Sequence, residues 1–180
     1  MSTLKEPAHA KDNFQGSLTA PLVLVEYGDY QCPYCGQAYP VVKRLQDYFG
    51  DKLCFVFRDF PLTQIHEQAL AAAIVADFSA KYDKFWPVHD SLYEHQNRLG
   101  VDLYEMIAQQ QQLPISALIA EIQNRSTEEK IMHDFKIGVR SGVNGTPTVF
   151  INNERYEGST ELIPMIAHLE AVLAQHKPPV

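Results

Sequence analysis

At 180 residues with 46% hydrophobic side chains, the chain is sized for one domain, or a core domain with an insertion, and can bury a core without disulfide support. Its net charge of −7, with no Lys/Arg cluster, argues against a nucleic-acid partner, because phosphate neutralisation supplies most of that affinity. Three cysteines are too few for a secreted disulfide framework, and no apolar run approaches the roughly 20 residues a membrane span needs.

Residues 1–20 read as a polar, irregular segment without the apolar stretch of a signal leader. That predicts a cytoplasmic location, or a periplasmic one if a leader has been removed. LVLVEY (22–27) reads as a buried strand closed by Gly28-Asp29. Tyr39, Val42, Leu45, Tyr48 and Phe49 then recur at helical spacing up to Gly50, a helix-ending residue. KLCFVFRDF (52–60) predicts a second strand, ended by Pro61. From Thr63 the pattern is helical for about eighty residues, with Ile65, Ala69, Ala72, Ala73 and Ala76 on one face. Asp102 with Glu105, and Ser126 with Glu129, have the spacing of capping boxes. TVFINNERYEG (148–158) reads as two strands around an Asn152-Asn153 turn. A last helix puts Leu162, Ile166, Leu169 and Val172 or Leu173 on one face, with Pro164 in its opening turn.

A strand–helix–strand unit requires parallel pairing with a crossover, so the expected class is α/β, a mixed central sheet flanked by helices. Residues 21–62 and 129–176 form the expected core, and 63–128 an inserted all-helical subdomain.

The chemistry concentrates in YGDYQCPYCGQAYP (27–40). A structural zinc site needs four ligands, usually two close pairs, but Cys32 and Cys35 are the single CxxC and the seven histidines are scattered. As a staple the pair would close nearly the smallest loop available, where a cross-link stabilises least. A working dithiol has a mechanism. Cys32 opens the predicted helix, and Pro33 falls at its favoured first helical position. Free N–H groups and the positive end of the helix dipole then favour a thiolate on Cys32. Cys32 is expected as the exposed attacker, and Cys35, one turn on, as the buried resolving thiol.

Glu26 is a carboxylate inside an apolar run. Burial would raise its pKa and let it exchange protons with Cys35, whereas a strand residue turned to solvent would do neither. Pro147, in GVNGTPTVF, would leave the Thr146 backbone free to pair with an extended peptide if its bond were cis. Pro40 should kink the helix over Gly36, whose bare backbone can absorb the strain. Cys54 reads as a buried hydrophobe, His66 as a packing or surface residue, Arg58 and Asp59 as a solvated pair, and Trp86 as core or groove lining.

With CPYC at a strand–helix junction and GTPTVF near the C-terminus, the chain resembles the thioredoxin superfamily, and more narrowly its DsbA-like branch. FRDFPL followed by HEQA, and SGVNGTPTVFINN, extend the likeness over about residues 20–175. The resemblance implies a thioredoxin fold with a helical insertion and a cis-Pro147 beside the dithiol. It also implies disulfide exchange through Cys32 and Cys35, and makes Glu26 the buried acid of many members. Pro33, Tyr34 and Thr146 would border the substrate. Tyr34 replaces the histidine of the best-known oxidases, which implies a less depressed Cys32 pKa and a weaker oxidant. The implied partners are protein or small-molecule thiols and disulfides, with a redox protein or glutathione as electron partner, no cofactor, and a monomer or weak dimer. Two other functions stay open: a redox-sensing binding module with negligible turnover, and a glutathione-dependent transferase or isomerase.

Overall fold

In the computed structural model, residues 2–175 are described; Met1 and residues 176–180, including the last residue of the expected core, lie outside the described residues. Five strands, β1 (Asn13–Gln15), β2 (Leu22–Gly28), β3 (Leu53–Asp59), β4 (Thr148–Ile151) and β5 (Glu154–Arg155), form one mixed sheet in the order β1-β3-β2-β4-β5. Strands β2 and β3 are nearly continuous apolar runs because helices cover both faces of the sheet. They pair in parallel, joined through α1 (Pro33–Phe49), while β4 runs antiparallel to β2 with Glu26 opposite Val149. Asn152 and Asn153 both adopt left-handed φ, 48° and 73°, as a two-residue hairpin loop between β4 and β5 demands.

Side chains alternate across the sheet. Leu22, Leu24, Phe55 and Phe57 join a large cluster with α1, α2 (Ala69–Ala80), α3 (Phe85–Glu94) and α7 (Leu162–Gln175). Val25, Tyr27, Val56 and Phe150 join a smaller cluster on the opposite face, where Phe135 of α6 (Glu128–Arg140) packs. Helices α4 (Val101–Gln110) and α5 (Ile115–Asn124) complete the helical block.

Four expectations change. The N-terminal segment is not wholly irregular: β1 pairs with the edge of β3, and Ser2 and Leu4 exchange backbone hydrogen bonds with Arg155 and Asn153. An otherwise open sheet edge gains partners that way. Ile65 is 73% exposed in a turn before α2, so the predicted apolar face begins at Ala69. Neither capping box forms. Helix α4 starts after Gly100 and α6 after Thr127, while the Ser126 hydroxyl donates to Glu121. Arg58 and Asp59 are no solvated pair but are both buried, because residues 6–12 fold over Arg58 and α6 covers Asp59.

Candidate functional site

Strand β2 ends at Gly28, and the next three residues turn the chain into α1. The Asp29 carbonyl accepts the Cys32 N–H at 3.1 Å, and its Oδ1 accepts the Gln31 N–H at 2.8 Å, the self-capping turn for which aspartate is suited. Its Oδ2 accepts the Leu62 N–H at 2.9 Å and faces His66 Nδ1 at 2.7 Å. The loop after β3 is thereby tied to the turn. Cys32 is the N-cap of α1, extended at φ −69° and ψ 120°, with Pro33 at the first helical position. The helix runs unbroken through Pro40.

Three free cysteines are present, and two of them, Cys32 and Cys35, meet at the head of α1. The Cys32 thiol is pulled down to about 5, chiefly by a hydrogen bond from the Cys35 side chain, against the opposing effect of burial. The Thr146 side chain and the Cys35 and Tyr34 N–H groups lower it further. Those N–H groups act from beyond capping distance, since no formal cap bond reaches the sulfur. Burial pushes Cys35 well above the ordinary thiol range, with the bond to Cys32 and the charge of Glu26 adding to the rise. One proton shared between two sulfurs produces this split: donating it stabilises one thiolate and retains the other as thiol.

Exposure departs from expectation. Cys35 is fully buried, but Cys32 is itself only 3% exposed. The Thr146–Pro147 segment lies against the sulfur: the Thr146 carbonyl is 3.3 Å from Cys32 Sγ and accepts its proton only while Cys32 is a thiol. The Thr146–Pro147 bond is cis, and both residues are half-buried. Pro33 and Tyr34 lie outermost, Tyr34 at 68% exposure. Glu26 is buried, not turned to solvent, and burial first, then the charge of Cys32, raises its carboxyl to about 8.

Sequence reasoning missed Asp29, Gln31 and Gln96. Gln31 Oε1 accepts the Gln68 N–H at 2.6 Å just before α2, and Gln96 Nε2 donates to the Tyr30 and Cys32 carbonyls. Only Asp29, in the strand-closing GD pair, left a signal. His66 holds Asp29 through its Nδ1, turned to the turn's carboxylate and not to a sulfur. Behind the turn, Tyr30 donates to or accepts from His89 Nδ1 at 2.9 Å inside an aromatic cluster with Phe57, Phe85, Trp86 and Tyr93. Burial drives His89 down to about 3, so it is neutral at physiological pH.

Among known proteins, Na(+)/H(+) antiporter NhaA 1 of Salinispora arenicola (strain CNS-205) is 34% identical over 164 residues, which cover 91% of this chain and 25% of that one. NhaA 1 of Mycobacterium sp. (strain KMS) is 32% identical over 173 residues, covering 89% of this chain and 27% of that protein. The chain thus spans about a quarter of the length of the curated relatives it matches. No helix among the described residues is long and apolar enough to cross a membrane. Among solved structures, BdbD from Bacillus subtilis (oxidised) superposes with a TM-score of 0.85 at 20% identity, over 96% of this chain and 98% of that one. Wolbachia pipientis alpha-DsbA1 gives 0.81 at 20% identity, over 93% and 94%. These likenesses establish the fold, a thioredoxin-like sheet with a helical insertion of the DsbA type. Residues 9–170 match the family described as Thioredoxin, and the chain belongs to that family.

Proposed function

We propose that the protein is a thiol–disulfide oxidoreductase working through Cys32 and Cys35. The observation that carries this reading is the meeting of two free sulfurs at one helix start beside the cis Thr146–Pro147 bond, an arrangement that pulls Cys32 down to about 5 and pushes Cys35 far above the usual thiol range. At neutral pH Cys32 is a thiolate and attacks a substrate disulfide. One substrate sulfur leaves as thiolate, and a mixed disulfide forms. With the Cys32 charge consumed in the mixed disulfide, the Glu26 carboxyl pKa falls and its ionised form takes the Cys35 proton; Cys35 then attacks Cys32, releasing the second substrate thiolate and closing the Cys32–Cys35 disulfide. Run backwards, the same steps oxidise a dithiol. Glu26, at about 8, is poised to exchange that proton near neutrality.

The Cys32 value lies between about 7 for a reductase and about 3.5 for a strong oxidase of this fold. It supports a milder oxidant than the strongest members. Direction then follows compartment: reduction in a glutathione-poised cytoplasm, oxidation or isomerisation in a periplasm. Protein thiols are the proposed substrates. An apolar groove of about 370 Å³, lined by Leu62, Ile65, Phe135, Val139 and Val143, ends at Asn144, two residues before Thr146. It offers an extended peptide an apolar seat two residues along the chain from Thr146. Another cavity, about 690 Å³ between β5 and α7, is lined by none of the residues near the dithiol.

Insulin reduction and refolding of a scrambled disulfide protein test the assignment. Cys32→Ser should fall to background, and Cys35→Ser should accumulate a mixed disulfide visible as a covalent adduct by mass spectrometry. Wild-type rates from Cys32→Ser would overturn it. The 3% exposure of Cys32 favours one second reading, a redox sensor whose partner affinity changes with oxidation while turnover stays negligible. Partner binding that follows oxidation state, with no insulin turnover, would select it.

A further inference from the structure

The turn that carries the dithiol is held from the helical insertion as well as from the sheet. Gln96 lies in a short 3-10 turn, Gln96–Arg98, after α3. Its Nε2 donates to the Tyr30 and Cys32 carbonyls, both at 2.8 Å. The Cys32 carbonyl also accepts the Gly36 N–H at 3.1 Å, the first helical bond of α1. The other end of the same carboxamide, Oε1, rests against Gly36, where a Cβ would run into it. A glycine inside a helix is unfavourable relative to alanine, and here its missing side chain is the space that the Gln96 amide fills.

We propose that Gln96 is the positioning residue of the dithiol, holding the Cys32 backbone in the N-cap geometry that turns its sulfur toward the Tyr34 and Cys35 N–H groups, with Gly36 as the notch that admits it. Gln96 touches no reacting atom and acts through the carbonyl it grips. Fixing the Cys32 carbonyl fixes the backbone torsion that aims the sulfur. Engaging two carbonyl oxygens with one donor group also offsets their negative ends beside a developing thiolate. The alternative is an ordinary bond between lobes, which would contribute to stability and leave the thiol untouched. The inference rests on the thiol–disulfide reading, but its readout is ionisation of the reduced protein, independent of turnover.

The test is a pH titration of thiolate ultraviolet absorbance in the reduced wild type, Gln96→Met, Gln96→Glu, Gly36→Ala and the Gln96→Met/Gly36→Ala double variant, with thermal melts of each. Gln96→Met removes the donor at similar length and should raise the Cys32 pKa by about one unit. Gln96→Glu, which when ionised cannot donate and brings a charge, should raise it further. Gly36→Ala keeps the glutamine but evicts its amide, and should give a similar rise although alanine is the better helix former. The double variant should shift no more than the larger single one, because both changes break the same contact. An unmoved Cys32 pKa in any folded member of this set overturns the proposal, whatever the melts show, and so does full additivity in the double variant. If wild type lacks disulfide-exchange activity while the pKa still answers to Gln96, the functional reading falls and the positioning role stands.

Discussion

Glu26 sits opposite Val149 in the sheet, with no charged partner to compensate its burial. Its carboxyl, raised from 4.5 to about 8, binds a proton in the folded protein that the unfolded chain has already released. Its effect is therefore nil below about pH 4.5, and stability is lost as pH rises through about 8. At pH 7 the cost is about 3 kcal/mol, taking 1.36 kcal/mol per unit as an order-of-magnitude guide. Glu26→Gln should flatten the pH slope between about 5 and 8 in urea melts, leaving the part that the raised Asp59 and Asp77 carboxyls contribute. The same variant should slow release of the mixed disulfide, since Cys35 loses its proton acceptor. This residue was legible because a carboxylate interrupts LVLVEY. Gln96 was not, because its partners are backbone carbonyls some sixty residues earlier, which any sequence supplies.

Lys130 on α6 draws three secondary-structure elements together. Its Nζ lies 3.4 Å from Asp59 of β3, 3.1 Å from Asp77 of α2 and 2.9 Å from Asp134 of α6. One cation for three carboxyls is a deficit. Burial, reinforced by the mutual charges of the cluster, holds Asp59 well above the usual carboxylate range and raises Asp77 as well. Breaking a buried pair costs about 3–5 kcal/mol, but the Lys130 side chain is 37% exposed, so Lys130→Met should cost nearer about 2. Raised carboxyls destabilise increasingly as they ionise, so urea midpoints should show a smaller loss at pH 5 than at pH 7. At this scale the head of α1 could be read directly, since Pro33 follows the turn at the first helical position, which proline favours. The head of α2 could not. Ile65 satisfies the spacing but stands in a turn fixed by the Leu62 carbonyl, which accepts the Ile65 and His66 N–H groups.

Across the whole molecule, the N-terminal segment straps the sheet to α6. Buried Arg58 donates to both Asp12 oxygens at 2.9 Å, to the Glu6 carbonyl at 2.8 Å and to the Tyr27 hydroxyl at 3.1 Å. Asp12→Ala would strand that guanidinium, and should lower stability by about 3–5 kcal/mol in denaturant melts with the Cys32 pKa unchanged. The architecture, a mixed sheet with a helical insertion, followed from the order of strand and helix patterns. The strap did not, because polar residues 6–12 look like any solvated tail until Arg58 is known to lie beneath them.

Cys54 gives the fold a last consequence. Within the sheet it is wholly enclosed, its thiol pushed up to about 11 by burial first and then by the charge of Asp12, so it stays a protonated thiol at neutral pH. A nascent chain has no such shelter, and there a third sulfur competes for mates. Ring size favours the nearer pair: Cys32 and Cys35 close a tiny loop, whereas either must capture Cys54 across about twenty residues of free chain before the N-terminal strap and α6 cover it.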